Sequence, residues 1–196
     1  MTSLVLASKS PRRRRLLSAL GWNFRVVDPA VGERNGEGEL PVDLCRRLAL
    51  EKARAVSLKC PDNLVLGADT IVVLDGVALG KPKDDGEAVE MIRRLSGRSH
   101  DVMTGIAVCR SDRRLVDVEV TRVSFRALAD SEIKAYVSTG EGRDKAGAYA
   151  IQGKGSLLVS EIRGCYFNVV GLPLYRLSLL IDRFGIPLSR QWEEFK

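Results

Sequence analysis

The sequence predicts an α/β domain: a mixed sheet with helices on its faces. Three observations carry this reading. Short apolar runs, such as residues 4–6 and 64–66, are interspersed with stretches whose apolar residues recur at helical spacing. The pair Asp75-Gly76 lies between two apolar runs, a hairpin signal that brings antiparallel pairing into the sheet. Finally, Val116, Val118 and Val120 alternate with charged or polar residues, as in a strand with one half-exposed face.

The elements follow in order. Residues 4–6 form a short buried strand, and Ser10-Pro11 ahead of Leu16, Leu17 and Leu20 gives an N-cap, a proline at the first helical position and a helix apolar on one side. The polar, glycine-rich stretch 32–39 reads as a mobile loop. Leu44, Arg47, Leu48 and Glu51 mark a second helix running to about residue 58. A strand over 64–66 leads into Gly67-Ala68-Asp69-Thr70, and strands 71–74 and 77–79 flank the hairpin turn. Ala88, Met91, Ile92 and Leu95 line one apolar helical face, which makes Met91 a core residue. Strands are expected at 102–109 and 115–125, then a helix capped by Asp130 or Ser131 and running to 138. Two further strands, 157–162 and 165–170, precede a final helix opened by Pro173, with Leu174, Leu177, Ile181 and Phe184 inward and Gly185 and Pro187 as its stop.

Composition bounds the rest. At 196 residues, a single domain spanning 1–196 is expected, and a globule of that size buries about 70% of its unfolded surface without a metal or disulfide staple. No apolar run approaches the roughly 18 residues of a membrane helix. A secretory leader is not expected either, because Arg12–Arg15 follow the first apolar stretch instead of preceding it. Cys45, Cys60, Cys109 and Cys165 are scattered, with His100 the single histidine, so free thiols in the cytoplasm are expected, not a zinc site. The net charge of +6 favours anionic partners, but aromatics at 6% do not support a nucleic-acid surface.

Four islands hold polar residues that core packing does not explain. Ser8-Lys9-Ser10-Pro11-Arg12-Arg13 joins a strand to a helix N-terminus, where orphan N–H groups and guanidinium forks suit phosphate. Asp69-Thr70 follows an apolar strand; the aspartate is either a turn residue bonding local backbone or a metal ligand or base at a strand end. Lys52 and Lys81 are surface lysines or cations of a site. Residues 144–153 pack small residues around Gln152, whose amide could meet a base edge, although glycine-rich turns also serve packing alone. His100, in a strand-entry turn, reads as a structural hydrogen-bonder.

Together these islands resemble the Maf family of nucleoside triphosphate pyrophosphatases, the septum formation proteins. The resemblance runs from Leu4–Arg13 through Leu48-Ala49, Glu51-Lys52-Ala53, Gly67-Ala68-Asp69-Thr70, Gly80-Lys81-Pro82, Ser96-Gly97 with His100 and Thr104-Gly105, and Lys145–Tyr149 with Gln152-Gly153, to Val169–Leu174. It implies a Maf/Ham1-like (ITPase-like) fold with a cleft between two lobes. It also implies cleavage between the α- and β-phosphates with a divalent cation, Mg²⁺ or Mn²⁺.

By the same resemblance, Asp69 is the catalytic aspartate and a metal ligand. Arg13, Lys52 and Lys81 neutralise the triphosphate, Ser8 helps to hold it, and Glu33 is a second metal position. The family usually has two adjacent acids there, whereas Gly32 precedes Glu33 here. Arg12, Thr70 and Gln152 match the branch resembling dTTP/UTP pyrophosphatases, so dTTP, UTP and modified pyrimidine triphosphates are the expected substrates. The alternatives are a 7-methyl-GTP or other modified-nucleotide pyrophosphatase, and a nucleotide- or nucleic-acid-binding regulator of septum formation. A nucleoside triphosphate is the expected partner, with no membrane or nucleic acid, and a homodimer would be in keeping with the family.

Overall fold

The computed structural model describes residues 3–32 and 38–195. The expected metal position Glu33, and most of the expected loop around it, lie outside the described residues. The architecture is mixed α/β, as predicted. A seven-stranded sheet has the order β2-β1-β3-β5-β6-β7, with β4 paired to β3. Its strands are β1 (Leu4–Ala7), β2 (Phe24–Val26), β3 (Leu64–Leu74), β4 (Val77–Leu79), β5 (Ser99–Arg110), β6 (Arg113–Phe125) and β7 (Val159–Arg163). The helices are α1 (Pro11–Ala19), α2 (Pro41–Ser57), α3 (Asp85–Leu95), α4 (Asp130–Ser138), α5 (Tyr166–Val170), α6 (Leu174–Asp182) and α7 (Leu188–Glu194). β1 runs parallel to both β2 and β3, whereas β4 and β7 pair antiparallel with β3 and β6. No described helix is long and apolar enough to cross a membrane.

The chain gathers into two compact units. The first takes residues up to Asp69, Thr104–Glu119 and the stretch from Gly171 on. Its sheet is parallel at β1 and β3, where Leu4–Ala7 and Leu64–Leu66 are buried on both faces, the reason these runs are uniformly apolar. α1 starts as its sequence says: Pro11 opens it and the Ser10 hydroxyl accepts from the Arg13 N–H. α2 lies unusually close to the sheet. A Cβ on Gly67 would come within 2.6 Å of the Ala53 backbone nitrogen, and one on Gly105 within 2.7 Å of the Cys45 carbonyl carbon. Two strand glycines and the small residues Ala49 and Ala53 thus let a helix backbone approach β3 and β5.

The second unit takes Thr70–Met103 and Val120–Val170. Its core joins Val72, Leu74 and Leu79 of the hairpin to Ala88, Met91, Ile92 and Leu95 of α3, so Met91 is a core residue. Asp75 and Gly76 both have positive φ, 51° and 77°, as a two-residue hairpin turn requires.

Several boundaries differ from the sequence reading. Asp69 and Thr70 do not end a strand: β3 continues unbroken from Leu64 to Leu74. Buried partners, not local propensity, carry the backbone through Gly67–Thr70. Of residues 165–170, expected as a strand, Tyr166–Val170 form α5 instead, with Asn168 drawn inward to donate to the Val102 carbonyl at 2.9 Å and to Thr121 Oγ1 at 2.9 Å. The strand expected at 157 begins only at Val159, after a 3₁₀ turn over Gly153–Leu158. α4 is capped at Ala129 instead of Asp130 or Ser131: Glu132 accepts from the Ala129 N–H at 2.7 Å. The helix after Pro173 is not the last, since α7 follows Gly185 and Pro187. The short edge strand β2 carried too little pattern to be read.

Candidate active site

In the first unit, four of the expected residues form two buried pairs, Ser8 with Arg13 and Lys52 with Asp69. β1 delivers Ser8, α1 delivers Arg13, α2 delivers Lys52 and β3 delivers Asp69, and all four are buried. Arg13 bends back over the first turn of its own helix. Its Nη1 donates to Ser8 Oγ at 3.1 Å and its Nε to the Gly171 carbonyl at 2.8 Å. Ser8 Oγ also accepts from the Ser10 N–H at 3.2 Å, so strand end, helix start and guanidinium are tied at one oxygen. Lys52 Nζ donates to Asp69 Oδ1 at 2.5 Å. The Gly67 contact explains why this pair can form: α2 lies close enough on β3 for the Lys52 side chain to reach the carboxylate.

A residue the sequence reading passed over sits under this pair. The Cys45 thiol donates to the Asp69 carbonyl at 3.3 Å and accepts from the Gly105 N–H at 2.8 Å. Burial and then the Asp69 charge push its pKa up to about 12, against smaller opposing effects from Arg13 and Lys52. It is therefore a neutral hydrogen-bonding bridge between α2 and the strands beneath. The legible signal is Gly105 inside the apolar run 102–109, with Gly67 directly after the run 64–66; a glycine inside a strand pattern commonly marks close backbone approach. Gly171, whose φ is 121° and whose carbonyl receives Arg13, lies in the Val169–Leu174 motif, whose residue types do not signal this contact.

The remaining expected residues stand elsewhere. Arg12, half-buried, belongs to the first unit beside Arg13 in α1. Thr70, Lys81 and Gln152 belong to the second unit. Thr70 is half-buried on β3, and Lys81 is exposed after β4. The Gly80 carbonyl next to Lys81 accepts from the Gly147 N–H at 3.0 Å, tying that loop to the small-residue stretch that leads to Gln152. Gln152 is exposed, whereas Tyr149, Ala150 and Ile151 before it are buried. His100 is a structural group, as expected, but within β5 and not in a turn: its Nε2 bonds Tyr149 Oη at 2.7 Å and its ring meets Phe125 and Tyr149 edge-on. Burial lowers its pKa to about 4. The four cysteines are free thiols. No cluster of three metal-ligating side chains occurs among the described residues.

Chemically, these two pairs supply a carboxylate, an ammonium, a guanidinium and a hydroxyl within the first unit, the groups that phosphoryl transfer needs for positioning and charge neutralisation. A family model described as "Maf-like protein" matches residues 3–184. A protein of Symbiobacterium thermophilum named dTTP/UTP pyrophosphatase is 53% identical over 188 residues, covering 96% of this chain and 97% of its own. Proteins of the same name from Clostridioides difficile and Koribacter versatilis are 46% and 49% identical, each aligned over 93% of this chain and 95% of its own. Among solved structures, the Staphylococcus aureus Ham1 protein superposes with a TM-score of 0.52 at 15% identity, covering 93% of this chain and 100% of that one, a likeness of fold.

Proposed function

This chain belongs to the Maf-like family, and on that premise we propose that it hydrolyses dTTP and UTP to the nucleoside monophosphate and pyrophosphate. The observation that carries the reading is the buried Lys52–Asp69 pair, with Arg13 held on Ser8 in the same unit. Relatives at 46–53% identity that bear the dTTP/UTP pyrophosphatase name supply the substrate class. The whole chain acts as one Maf-like domain in this proposal.

In the proposed reaction, a water oxygen attacks the α-phosphorus and the bond from that phosphorus to the bridging oxygen breaks. Pyrophosphate leaves, and the proton lost by the water passes to Asp69. Arg13 and Lys52 offset charge on the phosphates, and Ser8 holds the Arg13 fork in place. Lys81 adds a further cation. Arg12, Thr70 and Gln152 select the nucleotide, with the Gln152 amide donating to and accepting from the edge of a thymine or uracil.

A divalent cation, Mg²⁺ or Mn²⁺, fits this donor set. Lys52 engages one Asp69 oxygen, a carboxylate has a second to give, and Mg²⁺ is often held by one or two carboxylates plus substrate phosphates. Glu33 would be the other protein ligand. Bound there, the cation would offset phosphate charge and polarise the phosphoryl oxygens.

The test is a panel of dTTP, UTP, dCTP, dGTP and 7-methyl-GTP, each with Mg²⁺ or Mn²⁺, with products separated by ion exchange. The expected result is monophosphate plus pyrophosphate from dTTP and UTP. Orthophosphate as the sole inorganic product, a preference for 7-methyl-GTP, or no turnover by folded protein overturns the proposal.

A further inference from the structure

We propose that Glu141 is a positioning residue for base selection: its carboxylate holds the turn from which Gln152 projects. The inference rests on the reading of Gln152 as the base-contacting amide. Gln152 occupies the N-cap of the 3₁₀ turn Gly153–Leu158, yet its side chain makes no capping bond. Glu141 does that work from outside the turn. Its Oε1 accepts from the Lys154 N–H at 3.0 Å and its Oε2 from the Gly155 N–H at 2.8 Å, so one side chain satisfies two successive orphan amides. The Gln152 amide is therefore not used in capping, and it stands exposed between buried Ile151 and a turn fixed from behind.

The surroundings crowd that backbone at two glycines. Gly153 has φ of 69°, and a Cβ there would come within 3.2 Å of the Glu141 carboxyl carbon. Gly155 is buried, and a Cβ on it would lie 2.8 Å from Tyr136 Oη. That same hydroxyl accepts from the Ala150 N–H at 3.1 Å, fixing the approach to Gln152 from the other side. Glu141 is itself held, since Lys145 Nζ donates to its backbone carbonyl at 2.5 Å. The backbone that presents the amide is thus ordered before the nucleotide arrives, which reduces the ordering cost of binding and sharpens discrimination between base edges.

The experiment compares Glu141→Ala, Glu141→Gln, Gln152→Ala and the Glu141→Ala/Gln152→Ala double variant. Steady-state kinetics with dTTP, UTP and dGTP is joined to amide hydrogen exchange at Lys154 and Gly155. Glu141→Ala is expected to raise KM for dTTP about tenfold with kcat changed less than about twofold, and to narrow the preference for dTTP over dGTP. Exchange at both amides accelerates. Glu141→Gln, which keeps one acceptor oxygen, recovers part of the KM, and the double variant is no worse than Gln152→Ala because the two residues act through one contact. A folded Glu141→Ala protein with unchanged KM beside an impaired Gln152→Ala overturns the clamp and leaves base reading by Gln152 standing. So does a fully additive loss in the double variant. Unchanged KM and preference in Gln152→Ala overturn base reading, and the clamp with it. If Glu141→Ala does not fold, Glu141→Gln carries the same comparison.

Discussion

Lys52 Nζ stands 2.5 Å from Asp69 Oδ1, with the two side chains 9% and 8% exposed. A buried ion pair is held in balance: desolvation of each charge is offset only while its partner remains. Lys52→Met leaves the Asp69 carboxylate without that partner and is expected to cost about 3–5 kcal/mol in urea unfolding. Asp69→Asn, isosteric but no base, is expected to lower kcat by about two to four orders of magnitude with KM changed only a few-fold. A fully active, folded Asp69→Asn enzyme would remove the carboxylate from the reaction.

Gly67 sets how near α2 can come to β3. A Cβ there would meet the Ala53 backbone nitrogen at 2.6 Å and the Ala53 Cβ at 2.9 Å, and helix backbone has no rotamer with which to yield. Gly67→Ala is expected to destabilise the protein by about 1–3 kcal/mol, as overpacking does. It should also lower turnover, because Lys52 rides on the displaced helix. Thermal unfolding and kcat measured together check this; loss of stability with unaltered kcat would separate the helix contact from the function of Lys52.

What the sequence revealed, and what it did not, follows from the range over which each signal acts. The α1 start was legible because Ser10 and Pro11 act on their own turn, and α3 because Ala88, Met91, Ile92 and Leu95 repeat within one helix. The continuity of β3 through Gly67–Thr70 was not, since it depends on α2, a segment distant in the chain. Tyr166–Val170 looked like a strand because its apolar content is ambiguous over five residues, and the Asn168 contacts that settle it reach back to Val102 and Thr121. Ser8, Arg13, Lys52 and Asp69 were found as a set through family motifs, while their geometry needed the fold. Cys45 carried no signal of its own: a cysteine at an inward helix position reads as one more apolar residue.

The four thiols divide by burial. Cys45 and Cys109 are buried with raised pKa, Cys45 to about 12, whereas Cys60 and Cys165 are partly exposed. A disulfide reagent must reach the sulfur, so an aromatic disulfide reagent at pH 8 is expected to label the partly exposed Cys60 and Cys165 in the native protein. Cys45 and Cys109 should react only after denaturation. Peptide mapping of the labelled sites checks this, and rapid labelling of native Cys45 would contradict its place beneath Asp69.

His100 ties stability to pH. Burial lowers its pKa from the ordinary 6.5 to about 4, and its Nδ1 is buried without a hydrogen-bond partner among the described residues. Because the folded value lies below the unfolded one, the unfolded chain takes up the proton first on acidification. The neutral-ring contribution is therefore complete above pH 6.5, is lost progressively as pH falls from 6.5 through about 4, and changes no further below that. For a ring 2% exposed, the shift corresponds to on the order of 3 kcal/mol across that window. Other groups titrate there too, so the measurement is the difference between wild type and His100→Gln, which keeps a hydrogen-bonding group for Tyr149. Urea unfolding at a series of pH values should show the wild type losing stability on acidification more steeply than the variant. Parallel curves would mean that the ring can be protonated in the folded protein without cost, and that its edge-on packing against Phe125 and Tyr149 does not exclude the charge.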